Sequence, residues 1–346
     1  MVWSVLTAAS GAARGFTGLA AARMLIGVGE AALTPAAMSL LGERMPPARL
    51  GLATGIYYAG VPLGAGLSLL LAGVFGPVLG WRGAFFALGV LGILVAPLLL
   101  WVRDDRPTKG RAKPWRDVVV EVLRDARSAL ARSRALRLVI LAGVGVHLLI
   151  GAGAFEQLWL VQERGFDRSR IAVLSGVAAI VMGLLGNIGG GVLGDLWRRR
   201  TGRSRTVFLF WLLLATTPIA VAYRLADPGS PVFWIGFGLG YFQLGAFYGP
   251  TFATLQELCA PRIRASVTAF AILVLNLVGV AGGAAICGIA VDALAGRGIE
   301  QPYSWTLLAL TLLAAAAAPI FLLAGLEQDR EERGARAGPQ PTEARP

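Results

Sequence analysis

Ten apolar blocks fill this chain, at 2–13, 17–41, 51–77, 81–102, 136–160, 171–196, 206–224, 231–256, 265–291 and 304–325. A helix rises about 1.5 Å per residue, so about 20 apolar residues cross the hydrocarbon core of a bilayer. Nine of the blocks are long enough for that. The first is too short, and it reads as a chain that begins in the middle of a helix. No basic region precedes it, as a cleavable signal peptide would require. With 56% hydrophobic and only 15% charged residues, against roughly 25% charged in soluble domains, the chain reads as an all-α integral membrane protein.

The charges between the blocks alternate. One set of loops holds 24 of the 32 Lys and Arg residues: Arg44, Arg49, the 103–137 segment, the run from Arg198 to Arg205, Arg262, Arg264 and the tail. The other set holds seven: Arg14, Arg82, Arg164, Arg168, Arg170, Arg224 and Arg297. Cytoplasmic loops carry the basic excess, so both ends and the long loop are expected to be cytoplasmic, in a bacterial inner membrane. This placement accounts for the net charge of +12 without nucleic acid as a partner. Cys259 and Cys287 are too few and too scattered for a disulfide framework or a metal site.

The expected division is an incomplete first bundle at 1–102, a cytoplasmic linker at 103–135, a second bundle of six helices at 136–326 and a disordered tail at 327–346. The linker opens polar and rich in Pro and Gly. After Pro114, residues Trp115, Val118, Val119, Val122, Ala126, Ala129 and Leu130 recur at helical spacing, which predicts an amphipathic helix on the membrane surface. A weak repeat links 43–55 with 256–270. Each carries an acid, a Pro and an Arg at a turn, followed by a small-residue helix start.

Within the apolar block 17–41 stand Arg23 and Glu30. An ionised side chain at mid-membrane costs roughly 2.5–3.5 kcal/mol on insertion scales. Seven residues apart, the two share a helix face, about 10 Å apart along the axis. Gly27 and Gly29 thin the helix between them, and Pro35 bends it just beyond. Two readings follow: a snorkelling Arg with a packed Glu, or a charged lining of a polar path.

The turn at 189–205 places Asp195 next to Arg198, Arg199 and Arg200. It reads either as a conformational switch or as a basic topology signal. Gly55, Gly60, Gly64 and Gly66, around Pro62, form a stripe for close helix packing. Glu156, Tyr241, Gln243 and Asn276 are polar groups in the later helices that reach substrate or bond a neighbouring helix. His147, the sole histidine, faces away from Glu156 and reads as a packing residue. Gly151 and Gly153 are placed to bend their helix. No catalytic cluster stands out, so the chain reads as a non-enzyme without cofactor or metal.

Four motifs carry a resemblance: Arg-x-x-x-Gly-x-Gly-Glu-Ala at 23–31, the Gly/Pro pattern at 55–66, Gly-x-x-x-Asp with trailing arginines at 191–200, and Pro-x-x-Arg at 46–49 and 261–264. Together they resemble the major facilitator superfamily, and 23–31 most resembles its spinster-like branch. The resemblance implies a two-bundle architecture of twelve helices, of which this chain holds about ten, lacking the first two. It implies a secondary active transporter, coupled to protons or another ion, for a small organic or lysolipid-like solute, with membrane lipids around it. Arg23 and Glu30 then line the central cavity. There, burial favours the neutral carboxyl and a nearby Arg favours the ionised one. The alternative is a truncated, non-transporting membrane protein or partner subunit.

Overall fold

The computed structural model describes residues 2–30, 33–101 and 114–337, without the side chains of 28–30, 99–101 and 335–337. The opening stretch of the linker, at 103–113, lies outside the described residues. All regular structure among the described residues is helical. Six helical stretches are long and apolar enough to cross a membrane, and two shorter apolar helices accompany them.

The first half runs α1 (Val2–Gly11), α2 (Phe16–Glu30), α3 (Leu33–Arg44), α4 (Leu50–Tyr58) and α5 (Gly60–Val95). Helix α5 is two rods, because Gly80 takes φ 62° and ψ 175° inside it. That left-handed conformation suits glycine alone, so the chain turns there. The rear rod lies against α1, where Cβ atoms on Gly89 or Gly92 would strike Ala8 or Ser4. The expected amphipathic helix follows as α6 (Trp115–Arg132). Ala126 and Ala129 are buried, whereas Trp115, Val118, Val119 and Leu123 remain exposed.

The second half runs α7 (Arg134–Ala152), α8 (Glu156–Gln162), α9 (Arg168–Thr201), α10 (Arg205–Leu225), α11 (Pro231–Glu257), α12 (Arg264–Val274), α13 (Gly282–Ala295), α14 (Pro302–Ala315) and α15 (Ala317–Ala337). Helix starts carry their signals. The side chains of Ser133, Asp167 and Ser230 accept backbone amides at the first turns of α7, α9 and α11, as N-caps do. Glu163 caps α14 from a distance, accepting Tyr303 N at 2.7 Å and Ser304 N at 2.8 Å. A 3-10 turn at Gly153–Phe155 separates α7 from α8, next to the expected Gly151 and Gly153 bend. A π-helical stretch at Leu275–Ala281 joins α12 to α13.

One boundary is corrected. Composition predicts a disordered tail at 327–346, yet α15 continues through Ala337. Its polar end is ordered because its side chains find partners. Gln328 is 1% exposed, and Glu331 accepts Ser133 Oγ at 2.8 Å and Ala135 N at 3.1 Å. Residues 338–346 lie outside the described set.

The internal repeat is present in the backbone. A 3-10 turn at Pro47–Arg49 leads into α4, and another at Pro261–Ile263 leads into α12. The residues before them, Pro46 and Ala260, have φ/ψ of −63/145° and −60/143°. Arg49 and Ile263 follow at −124/6° and −112/0°. Glu43 and Glu257 occupy equivalent places in the two turns.

The halves meet where α4 and α5 lie along α9, α4 against α11, and α3 against α12. The contact stripe differs from the expected one. Added Cβ atoms on Gly60 and Gly64 would meet nothing within 4 Å. The close approaches are made instead by Gly51, Gly55, Gly66 and Gly73, with Pro62 lying against Gly183. Spacings of four, seven and eleven return to one face of a 3.6-residue helix, and Gly60 and Gly64 fall on another face.

Candidate functional site

The densest polar cluster among the described residues lies at the end of the molecule that carries α6 and the end of α15, termed here the linker side. Asp195 lies near the end of α9 and is 3% exposed. Its carboxylate accepts Gly51 N at 3.1 Å and Leu52 N at 2.9 Å. These amides belong to the first turn of α4, where a helix has donors without intrahelical partners and a partial positive charge. An acid from the second half therefore caps a helix of the first. Glycine is required at 51, because a Cβ there would stand 2.6 Å from Asp195 Oδ1.

Behind Asp195 stands Arg205, fully buried. Its Nε donates to Asp195 Oδ1 at 2.8 Å, and one terminal nitrogen donates to Glu257 Oε1 at 2.6 Å. The other reaches the carbonyl of Pro47 in the first half. Glu257 also meets Arg198 at 3.3 Å, and Arg198 meets Glu332 of α15 at 3.0 Å. Gln328 joins the cluster, donating to Glu257 at 3.3 Å and to Glu332 at 3.0 Å. Two contacts close the rest of this end. Arg264 donates to the carbonyl of Gly42 at 2.7 Å, and Tyr58 stacks on Tyr248 with centroids 4.6 Å apart.

The expected switch is thus corrected in its partners. Asp195 pairs with Arg205, not with Arg198, Arg199 or Arg200. Helix α9 runs on to Thr201, past the packed end, so Arg199 and Arg200 emerge exposed. Left-handed Gly202 (φ 67°) then turns the chain, and Arg205 folds back over Asp195. Arg198 keeps a place in the cluster through Glu257 and Glu332. Sequence reasoning missed Arg205, Glu257 and Gln328. The matching acids of the two repeat turns are the signal that points to Glu257.

A second polar group sits at the opposite end of the second half. Glu156 receives Arg224 at 2.7 Å and the Tyr223 hydroxyl at 2.7 Å. The charge pattern groups Arg224 with the loop residues, yet it is 7% exposed and also donates to Thr311 at 3.3 Å. Trp159 is flanked by Arg164 and Arg224, whose guanidinium carbons lie 5.0 and 5.1 Å from its ring centre. Tyr241 and Gln243 line the same cavity as Glu156.

The other expected residues are scattered. Asn276 is exposed in the π-helical stretch. Arg23 is exposed, with its guanidinium 5.2 Å from the centre of the Phe85 ring. Gly29 lies in the last turn of α2. The side chain of Glu30 lies outside the described residues, and so does any contact between Arg23 and Glu30. Gly27 faces open space, and Pro35 is buried in α3. His147 is 5% exposed, bonded through Nδ1 to the Gly143 carbonyl at 2.9 Å and set edge-on to Phe247.

The family model "Major Facilitator Superfamily" matches residues 1–285. The chain belongs to that superfamily. It is 27% identical over 302 residues to an MFS-type efflux pump of Mycolicibacterium smegmatis, covering 85% of this chain and 67% of the pump. It is 23% identical over 303 residues to Protein spinster of Drosophila melanogaster, covering 85% of this chain and half the length of that protein. In fold it is similar to a bacterial homologue of the human lysosomal transporter Spinster, solved in an inward-facing and unoccupied conformation. The TM-score is 0.68 at 21% identity, over 94% of this chain and 82% of that one. These relatives bear out the spinster-like resemblance read at residues 23–31, and the all-helical, two-bundle membrane architecture with it.

Proposed function

We propose that this chain is a secondary active transporter of a small organic or amphipathic solute, driven by protons or another ion through alternating access. Its linker side is the cytoplasmic side of the bacterial inner membrane. The observation that carries the reading is the Asp195 carboxylate capping α4 across the two halves, with buried Arg205 behind it. That contact holds the linker side shut. It is made of charge and backbone amides, which water satisfies equally well once the halves part. A lock of this kind opens without leaving groups permanently unpaired. The relatives support transport by their names, as an efflux pump, a hexuronate transporter and a sphingosine-1-phosphate transporter.

Coupling is assigned to Arg23 and Glu30 in the first half and to Glu156 in the second, with Tyr241, Gln243 and Asn276 as polar contacts for the solute. Asp195, Arg198 and Arg205 form the switch. The test uses the protein in proteoliposomes with spin labels at positions 44 and 200, one on each half at the linker side. Pulsed electron resonance should show a short distance and a long one, exchanging in population when a pH gradient is imposed. One unchanging distance under all gradients would reject alternating access.

A further inference from the structure

Helix α15 packs against α7, α10 and α14, all in the second half. Its buried stripe runs through Phe321, Ala324 and Gly325 to Gln328, which is 1% exposed. Spacings of three and four keep to one helix face, so a polar amide takes a core position one turn beyond the last apolar one. A Cβ on Gly325 would stand 2.5 Å from Val207 Cγ2, so this face is pressed onto the first turn of α10. Both ends of the amide are used. Its oxygen accepts the Ser204 hydroxyl, and its nitrogen donates to Glu257 Oε2 at 3.3 Å and to Glu332 Oε1 at 3.0 Å. An amide nitrogen has two protons to give, and both go to carboxylates. Arg198 bridges the same two oxygens at 3.3 and 3.0 Å. Glu257, Arg198, Glu332 and Gln328 therefore close a ring. The ring holds Oε2 of Glu257 and leaves Oε1 to receive Arg205 at 2.6 Å. Arg205 in turn holds Asp195 and reaches Pro47 of the first half.

We propose that Gln328 is a positioning residue of the switch: it fixes the rotation of Glu257, and Glu257 fixes Arg205 on the Asp195 lock. The inference rests on the reading of that lock as the gate. The chemistry of the site selects an amide. An apolar side chain of the same length would fill the space without needing partners, and a buried polar group is costly unless it finds them. A carboxylate here would repel the two already present, and an ammonium would draw Glu257 away from Arg205. A neutral double donor holds both acids and leaves their charge to the arginines. The end of a helix that packs within the second half thereby sets how firmly the two halves are joined.

The experiment uses the full chain in proteoliposomes with spin labels at positions 44 and 200. Gln328→Met keeps the length of the side chain and removes both donors. Gln328→Glu keeps its size and sets a third carboxylate beside Glu257 and Glu332. Glu332→Gln opens the ring from its half-buried side, and it carries the test where position 328 does not tolerate change. Each variant should lower the closed-to-open ratio about threefold or more. In an Asp195→Asn background the same changes should have less than about half that effect on a logarithmic scale, because the route ends on the missing charge. A residue that only packs the bundle would lower the melting temperature alike in both backgrounds and leave the ratio alone. An unchanged ratio in all three variants, or equal shifts with and without Asp195, would overturn the positioning role. A parent with one unchanging distance rejects the gate reading and this role with it. Two distances in the parent that the variants leave in place reject only the part given to Gln328.

Discussion

A methyl group on Gly51 would stand 2.6 Å from the Asp195 carboxylate that caps its helix. Gly51→Ala should therefore part the two halves at the linker side while leaving each half folded. Cysteine reagents should then reach position 58 or 248 faster than in the parent. Gly60→Ala and Gly64→Ala, with open space at their Cβ positions, should leave reactivity unchanged. Equal behaviour of all three variants would remove the stripe from the gate.

Asp195→Asn keeps the size of the side chain, removes its charge and replaces one of the two oxygens that accept Gly51 N and Leu52 N with a donor. An anion at a helix N-terminus contributes about 0.3–2 kcal/mol, so the closed-to-open ratio at the linker side should fall about 2- to 30-fold. Transport rate should change more than apparent affinity. Spin-label distances between positions 44 and 200 check the first point, and initial rates in proteoliposomes check the second. A normal rate with normal expression would return the turn to a topology signal.

Glu156→Gln leaves buried Arg224 without its counter-charge. Breaking a buried pair from one side costs about 3–5 kcal/mol. The melting temperature should drop clearly, and Glu156→Gln with Arg224→Gln should recover part of the loss. Additive losses in the double variant would show that the two residues act independently.

Orientation is open to labelling. A cysteine at Gly298 should react with an impermeant reagent added outside the cell, and one at Thr108 should not. The reverse pattern would invert the assignment of the linker side.

Glu30→Gln mimics the neutral acid but cannot release a proton. Accumulation driven by a pH gradient should fail, while counterflow, which needs no net proton movement, should persist in part. Arg23→Ala removes a positive charge seven residues earlier on α2, and its accumulation should fall while the protein stays folded. Full accumulation by Glu30→Gln would move coupling to Glu156 or elsewhere.

The chain's apolar passes, the amphipathic start of α6, the twin turns at Pro47 and Pro261 and the weight of Asp195 are all legible in the order of residues alone. Each is a local property. The preference of a residue for lipid or water adds up along a single helix, and turn chemistry is written within four or five neighbours. Partner choice is a different kind of quantity. Arg198 stands three residues from Asp195, yet buried Arg205 holds the acid, because Gly202 reverses the chain between them. Glu156 and Arg224 are 68 positions apart, and Gly51 and Asp195 are 144 apart. Nothing along the chain selects such pairs. They form because burying a charge is tolerable only beside its complement, and only the packing of helices decides which complement stands within reach.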